Sequence, residues 1–220
     1  MVTPGYAVKY QHVAVTGGAD LEIRSLLDRQ QYDDPLGEAA AAGISPASWP
    51  LFGMLWPSAR ALADLMQGYP IDHRRILEVG CGLALASMVV QRRLGDITAS
   101  DCHPLTESFL KANLLLNHLP HLSYRTGNWQ NTAANLGRFD LIIGSDVLYE
   151  RDQPEHLARF IQGHATPHAE VLIIDPNRGN RQAFHRDMAC SGFTLHESRI
   201  ETEKSLQRES YRGRLLQYLR

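Results

Sequence analysis

The sequence predicts an α/β protein built on one mostly parallel sheet, sandwiched between two helical layers and ending in an antiparallel hairpin. Three observations carry this. From Arg75 onward, short apolar runs alternate with segments whose apolar residues recur every three or four positions. Most of those runs are continuous rather than alternating, as in strands covered on both faces. The last two strand-like runs follow one another with no helical segment between them, which makes them antiparallel neighbours.

The elements follow in chain order. Lys9–Val15 and Leu21–Leu26 flank Thr16-Gly17-Gly18-Ala19 and read as a β-hairpin. After the polar stretch Asp28–Pro35 comes a small alanine-rich helix near Glu38–Ala42. Trp49-Pro50 and Trp56-Pro57 bracket an aromatic segment that reads as exposed. Ser58–Gln67 reads as a helix leading into the first core strand, Ile76–Val79. Further strands are expected at Ile97–Ser100 (ending at Asp101), Leu122–Arg125, Phe139–Gly144 and Glu170–Ile174. The intervening helices are Ala86–Leu94, Pro104–Leu119, Pro154–Gly163 and Asn180–Cys190, with Pro104 and Pro154 in first turns that tolerate proline. Phe193–Ile200 and Arg214–Leu219 form the final pair, separated by the polar stretch Glu201–Arg212, and bring the core to seven strands. Residues 1–70 are therefore expected to be an extension packed on a core of residues 71–220.

Composition excludes several classes of function. A net charge of −2 in 220 residues gives no overall basic field for nucleic acid or anionic lipid. No apolar run approaches the roughly 20 residues of a membrane span. Met1–Tyr6 lacks the basic and apolar regions of a signal peptide. Cys81, Cys102 and Cys190 are odd in number and unclustered, which points to a reducing, cytoplasmic setting rather than a disulfide framework. His118/His121 and His164/His168 are each interrupted by proline, and no Cys/His cluster has zinc spacing, so no metal is expected.

The run Ile76-Leu77-Glu78-Val79-Gly80-Cys81-Gly82-Leu83-Ala84 is the most informative. A strand that breaks into a glycine turn and then a helix makes a ligand seat. Leu85 occupies the third glycine position of a dinucleotide fingerprint, and the Gly-Lys-Ser/Thr of a phosphate loop is absent. Acidic Glu78 precedes the glycines, and Asp101 ends the next strand, where an acidic residue about 20 positions on accepts hydrogen bonds from ribose hydroxyls. The seat suits a nucleoside without a pyrophosphate, and its carboxylates favour a ligand carrying an ammonium or sulfonium.

The pattern resembles the seven-stranded S-adenosylmethionine-dependent methyltransferases, through Glu78-Val79-Gly80-Cys81-Gly82, Asp101 and the terminal hairpin strands. That resemblance implies a Rossmann-like core. Ala84 stands where the family carries the third glycine of Gly-x-Gly-x-Gly, so a slightly tighter turn is expected. A narrower resemblance lies in Ser145-Asp146-Val147-Leu148-Tyr149-Glu150, which looks like the Asp-x-x-Tyr signature of the family-16 methyltransferases, mostly protein lysine methyltransferases. Gly53-Met54-Leu55-Trp56-Pro57, Asn128-Trp129 and Asn113/Asn117 support this branch.

The resemblance implies S-adenosylmethionine as cofactor, with Trp56, Glu78, Gly80, Cys81, Gly82, Asp101, Cys102, Asn128, Trp129 and Ser145 around it. Asp101 would meet the ribose, and Asn128-Trp129 would lie beside the adenine. His103 would either border the adenosine or be a solvated loop histidine. Asp146 and Tyr149 are the catalytic candidates: spacing of i and i+3 on a turn or first helical turn puts them on one side. The implied acceptor is a nitrogen, foremost a protein lysine. A small-molecule amine and a non-catalytic binding role are the alternatives. Arg178 would hold an acidic group on the substrate or be solvated. Residues 28–49 match nothing nameable.

Overall fold

The computed structural model describes residues 5–130, 136–204 and 209–220. The first four residues of the stretch read for a signal peptide, and positions 205–208 of the polar stretch before the last strand, lie outside them. The elements are β1 (Val8–Val13), β2 (Leu21–Leu26), α1 (Glu38–Ala41), a 3-10 helix (Trp49–Gly53), α2 (Pro57–Gly68), β3 (Arg75–Val79), α3 (Leu85–Arg92), β4 (Asp96–Asp101) and α4 (Thr106–Leu116). They continue with β5 (Ser123–Thr126), β6 (Phe139–Ser145), α5 (Gln153–His164), β7 (Ala165–Asp175), α6 (Arg181–Cys190), β8 (Thr194–Thr202) and β9 (Tyr211–Leu219).

Seven strands form one sheet in the order β5-β4-β3-β6-β7-β9-β8. The first five pair in parallel, and β9 runs antiparallel to both β7 and β8. The continuous apolar strands are covered on both faces, as expected. Side chains alternate across a strand, so Ile76, Leu141, Ile143, Leu172 and Ile174 enter one apolar cluster with Leu62, Val89 and Phe109 of α2, α3 and α4. Leu77, Val79, Ile142, Val171 and Ile173 enter the other, with Leu157 and Phe184 of α5 and α6. Strand order reverses between β3 and β6, which opens a crevice at their C-terminal ends.

Several boundaries differ from expectation. β7 begins at Ala165, directly after α5, because Ala165 pairs with Phe139 across an irregularity in the ladder. α4 begins at Thr106, so Pro104 lies in the turn before the helix, closed by Thr106 N–H donating to the His103 carbonyl (3.1 Å). Pro154 does sit in the first turn of α5. The aromatic segment after Trp49 is not exposed. Trp49 is 1% accessible and Phe52 6%, because the 3-10 helix packs these rings against Tyr6 and Phe109.

The hairpin β1–β2 forms its own two-stranded sheet. An unpaired strand edge needs partners for its backbone groups, and two asparagines one turn apart on α4 and its C-cap supply them to β2. Asn113 Oδ1 accepts from Arg24 N–H (2.7 Å) and its Nδ2 donates to the Arg24 carbonyl (3.3 Å). Asn117 does the same with Glu22 (2.9 and 2.8 Å). Each amide imitates a neighbouring strand residue. Asn113 is fully buried, so Asn113→Ala should lower unfolding free energy by about 1–3 kcal/mol, and Asn117→Ala, nearer solvent, by less. Urea denaturation of both variants checks the ranking, and equal costs would contradict it.

Candidate functional site

The seat forms where β3 breaks. Gly80 (φ 59) and Gly82 (φ 49) both adopt left-handed backbone, and neither has room for a side chain. A Cβ on Gly82 would lie 2.9 Å from the Phe52 carbonyl oxygen, and one on Gly80 2.9 Å from Val147 Cγ1 and 3.4 Å from the Trp129 ring. Ala84 also adopts left-handed backbone (φ 57), where alanine carries a steric cost that glycine lacks. Its N–H closes the turn onto the Cys81 carbonyl (2.7 Å).

Two carboxylates brace this turn. Asp101 Oδ2 accepts from Gly82 N–H and Oδ1 from His103 N–H, each at 2.9 Å. It therefore locks the tip of β4 to the turn and does not cap α4. Burial pushes its carboxyl up, against the pull of those N–H groups. The Cys102 N–H and the Thr106 side chain add to that pull, and Asp101 lines the cavity. Glu78, buried two residues before Gly80, does not line the cavity above the turn. Its Oε2 accepts from Ser87 N–H (2.8 Å) and from the Ser87 hydroxyl, strapping β3 to α3. Burial raises its carboxyl to about 7.

Above the turn is a cavity of about 760 Å³, within the usual range for small-molecule sites. Gly80, Cys81 and Gly82 form its floor, with Asp101 and Cys102 from the tip of β4. Asn128 and Trp129, after β5, form a side wall. Ser145, Asp146 and Tyr149 enter from β6, and Trp56 from the start of α2. Burial pushes the Cys102 thiol up to about 12, which leaves it protonated. Asn128 Oδ1 accepts from Gln130 N–H (2.9 Å), and Trp56 Nε1–H donates to the Leu51 carbonyl (2.9 Å). His103 is no solvated loop residue. It is 3% accessible and stacks on Phe52 with centroids 3.7 Å apart. Burial pushes it down to about 4, so it is neutral at physiological pH.

The segment after β6 is not a helical turn. Asp146 has left-handed backbone (φ 53), its N–H continues the ladder to the Ile174 carbonyl (2.9 Å), and 147–149 run as a loop. Asp146 and Tyr149 nonetheless line the same cavity. The Arg178 side chain is partly exposed and pairs with Asp146. Its Nε donates to Asp146 Oδ1 (2.8 Å) and Nη2 to Oδ2 (2.9 Å), a two-armed ion pair whose hydrogen bonds raise the guanidinium's pKa further. Asn180 Nδ2 donates to the carbonyls of Leu148 (3.0 Å) and Glu150 (2.8 Å), and Gln153 Oε1 accepts from the N–H groups of Tyr149 (3.1 Å) and Glu150 (3.0 Å). The loop is thus held from β7, α6 and α5. Tyr149 is 43% accessible at the rim. Its hydroxyl is pushed up to about 12, chiefly by desolvation, and so stays neutral.

Residues 50–188 match the sequence model of a family described as lysine methyltransferase. The chain belongs to the lysine methyltransferase family. Among relatives, the electron transfer flavoprotein beta subunit lysine methyltransferase of Mus musculus is 29% identical over 141 residues, covering 62% of this chain and 54% of that protein. The protein N-lysine methyltransferase METTL21A of Xenopus tropicalis is 25% identical over 141 residues, 61% of this chain and 62% of its own. The chain thus spans about half the length of the flavoprotein-subunit enzyme it matches. The fold is also that of magnesium protoporphyrin IX methyltransferase (ChlM) from Synechocystis PCC 6803, solved with bound SAM. The TM-score is 0.55 at 17% identity, over 73% of this chain and 77% of that one.

The site fits the family's cofactor, S-adenosylmethionine, on observations of its own. The glycine turn leaves a cradle that side chains would fill, and the Asp101 carboxylate lines the cavity beside it. Several lining residues escaped sequence reasoning, among them Arg29, Phe52 and Gln153. They come from loops and helix ends that carry no motif.

Glu78 sets a pH dependence. Its carboxyl is raised from an ordinary 4.5 to about 7. Between those values the unfolded chain releases the proton first, so this group's contribution to stability is full below pH 4.5 and is lost as pH rises through 7. Glu78→Gln keeps an acceptor for Ser87 and removes the titration. Urea midpoints at pH 5 and pH 8 should therefore differ less in the variant than in the unmutated protein, and an unchanged difference would rule this out.

Proposed function

We propose that this protein is an S-adenosylmethionine-dependent methyltransferase whose acceptor is the side-chain nitrogen of a lysine in another protein. One observation carries the reading. A carboxylate, Asp146, is clasped at the rim of the cavity that the glycine turn floors, at the crevice between β3 and β6. In this reading Asp101 receives the ribose hydroxyls, Trp129 and Asn128 flank the adenine, and Trp56, Cys81, Cys102 and Ser145 complete the wall. Glu78 supports the turn from beneath.

S-adenosylmethionine supplies an electrophilic methyl group on a sulfonium. The residues of the chain do the rest by positioning, which contributes many orders of magnitude when reacting atoms are aligned. A lysine ammonium has no free lone pair and, with an ordinary pKa near 10.4, must lose a proton before it reacts. Asp146 accepts an N–H of the acceptor nitrogen and stabilises the positive charge that develops there. The Tyr149 ring flanks the path as a neutral aromatic wall and attracts that charge through its face. The guanidinium of Arg178 now occupies Asp146, so an arriving amine has to share or displace it. The exposed rim at Tyr149 suits an acceptor presented by a protein surface. Arg29, Phe52, Trp56 and Ala59, from α2 and the loops before it, wall the same site.

The free thiols Cys81, Cys102 and Cys190 support a reducing, cytoplasmic setting. No helix among the described residues is long and apolar enough to cross a membrane. Neither nucleic acid nor a membrane is among the expected partners.

Isothermal titration with S-adenosylhomocysteine should show binding, and its absence would remove the cofactor reading. Tritiated S-adenosylmethionine in a lysate from a strain lacking the gene should label a protein band once the enzyme is added. Label confined to small molecules would favour a metabolite amine, and no transfer at all a binding role. Asp146→Asn should lower transfer by about 100-fold or more while leaving S-adenosylhomocysteine affinity within about twofold.

A further inference from the structure

We propose that Arg29 receives the carboxylate of the cofactor's amino-acid end, an assignment that rests on the cofactor reading above. That end of S-adenosylmethionine carries a carboxylate beside its ammonium. The cavity it enters is lined by Asp101, Asp146, Glu150 and Asp152, so the incoming carboxylate meets like charge and needs a cation. Arg178 is engaged by Asp146 through both arms. His103 is neutral at physiological pH, and His156 lies 3.9 Å from Asp152. Arg29 is the remaining cationic side chain on the wall.

Its placement is built rather than incidental. Asp28 Oδ1 accepts from Gln30 N–H (2.9 Å) and from Gln31 Nε2 (2.8 Å), and Gln31 Oε1 accepts from Ala7 N–H (2.8 Å). These bonds fix the turn that carries Arg29 directly after β2. Leu26, at the end of β2, packs so closely on Gly53 that a Cβ there would lie 2.5 Å from Leu26 Cγ. The turn is thereby set against the segment leading to Trp56. The guanidinium lies 4.7 Å from the centre of the Trp56 ring, whose Nε1–H is tied to Leu51. A guanidinium carried over an aromatic face keeps its N–H edge for other partners, and that edge matches a carboxylate with two parallel bonds. No carboxylate of the described residues lies at ion-pair distance from Arg29.

The test compares two ligands that share the nucleoside and thioether. S-adenosylhomocysteine has the amino-acid end and 5′-methylthioadenosine lacks it. Calorimetry on the unmutated protein should show tighter binding of S-adenosylhomocysteine. Arg29→Gln should weaken S-adenosylhomocysteine by about 10- to 100-fold, as expected for a charge-assisted pair, and leave methylthioadenosine unchanged. Arg29→Lys should recover part of the loss. Equal weakening of both ligands would reduce Arg29 to wall support, and an unchanged S-adenosylhomocysteine affinity would overturn the assignment. Failure of both ligands to bind the unmutated protein would instead remove the cofactor reading itself.

Discussion

The rim of the sheet depends on one buried carboxylate. Asp101 ends β4, and its two oxygens take the N–H groups of Gly82 and His103. Its own carbonyl accepts from Gly127 N–H (3.0 Å) and from the Tyr124 hydroxyl (3.1 Å). Three loops, after β3, β4 and β5, are thus tied to one residue. In the left-handed glycine turn the Gly82 N–H, only partly exposed, is satisfied by Asp101. The cost falls on the carboxyl, which burial pushes up. A ligand hydroxyl donating to this carboxylate would relieve that cost, so the residue that shapes the seat also has reason to favour its occupancy.

The acceptor side is held by separate means. No hydrogen bond among the described residues joins Asp101 to the loop after β6. That loop hangs instead on Arg178, Asn180 and Gln153, which belong to the elements following it in the chain. Asp146 is bound at both its backbone and its carboxylate, in a left-handed conformation that a non-glycine residue adopts only when its surroundings enforce it. The crevice between β3 and β6 therefore joins two loops braced by different polar side chains and in contact where Val147 packs on Gly80. A substitution in one clasp can disturb acceptor geometry and leave the cofactor seat intact.

Much of this was legible in the sequence. The number of strands and the helices between them follow from the alternating apolar patterns, and the glycine turn from Gly80 and Gly82. The lining positions of Asp101, Trp129, Asp146 and Tyr149 follow from motifs that end strands, because strand ends are where a parallel sheet gathers its chemistry. What could not be read was which way a side chain faces. Glu78 sits in the motif, yet strand alternation points it at Ser87 under the turn. Trp49 has the neighbours of a loop residue but is covered by Tyr6, which is distant in sequence. The pairing of Arg178 with Asp146 spans two loops whose approach depends on the β6–β7 ladder. No local pattern encodes such pairings.

The asparagines of α4 show how a remote contact can shape a site. Asn113 and Asn117 touch no cavity residue through the bonds described; they hold β2 by its backbone. The end of β2 fixes the turn at Asp28, and that turn carries Arg29 to the Trp56 face. Loss of the amide pairs would free the strand edge, and with it the only element that brings a guanidinium to this side of the cavity among the described residues. The hairpin is therefore more than a cover on the core. The sheet supplies carboxylates and a glycine cradle, which suit hydroxyls and cations, while a carboxylate on the ligand needs a charge that the strand ends do not provide. If Arg29 receives the carboxylate as proposed, a zwitterionic ligand would need both parts, and the docking of β2 on α4 would bring them together.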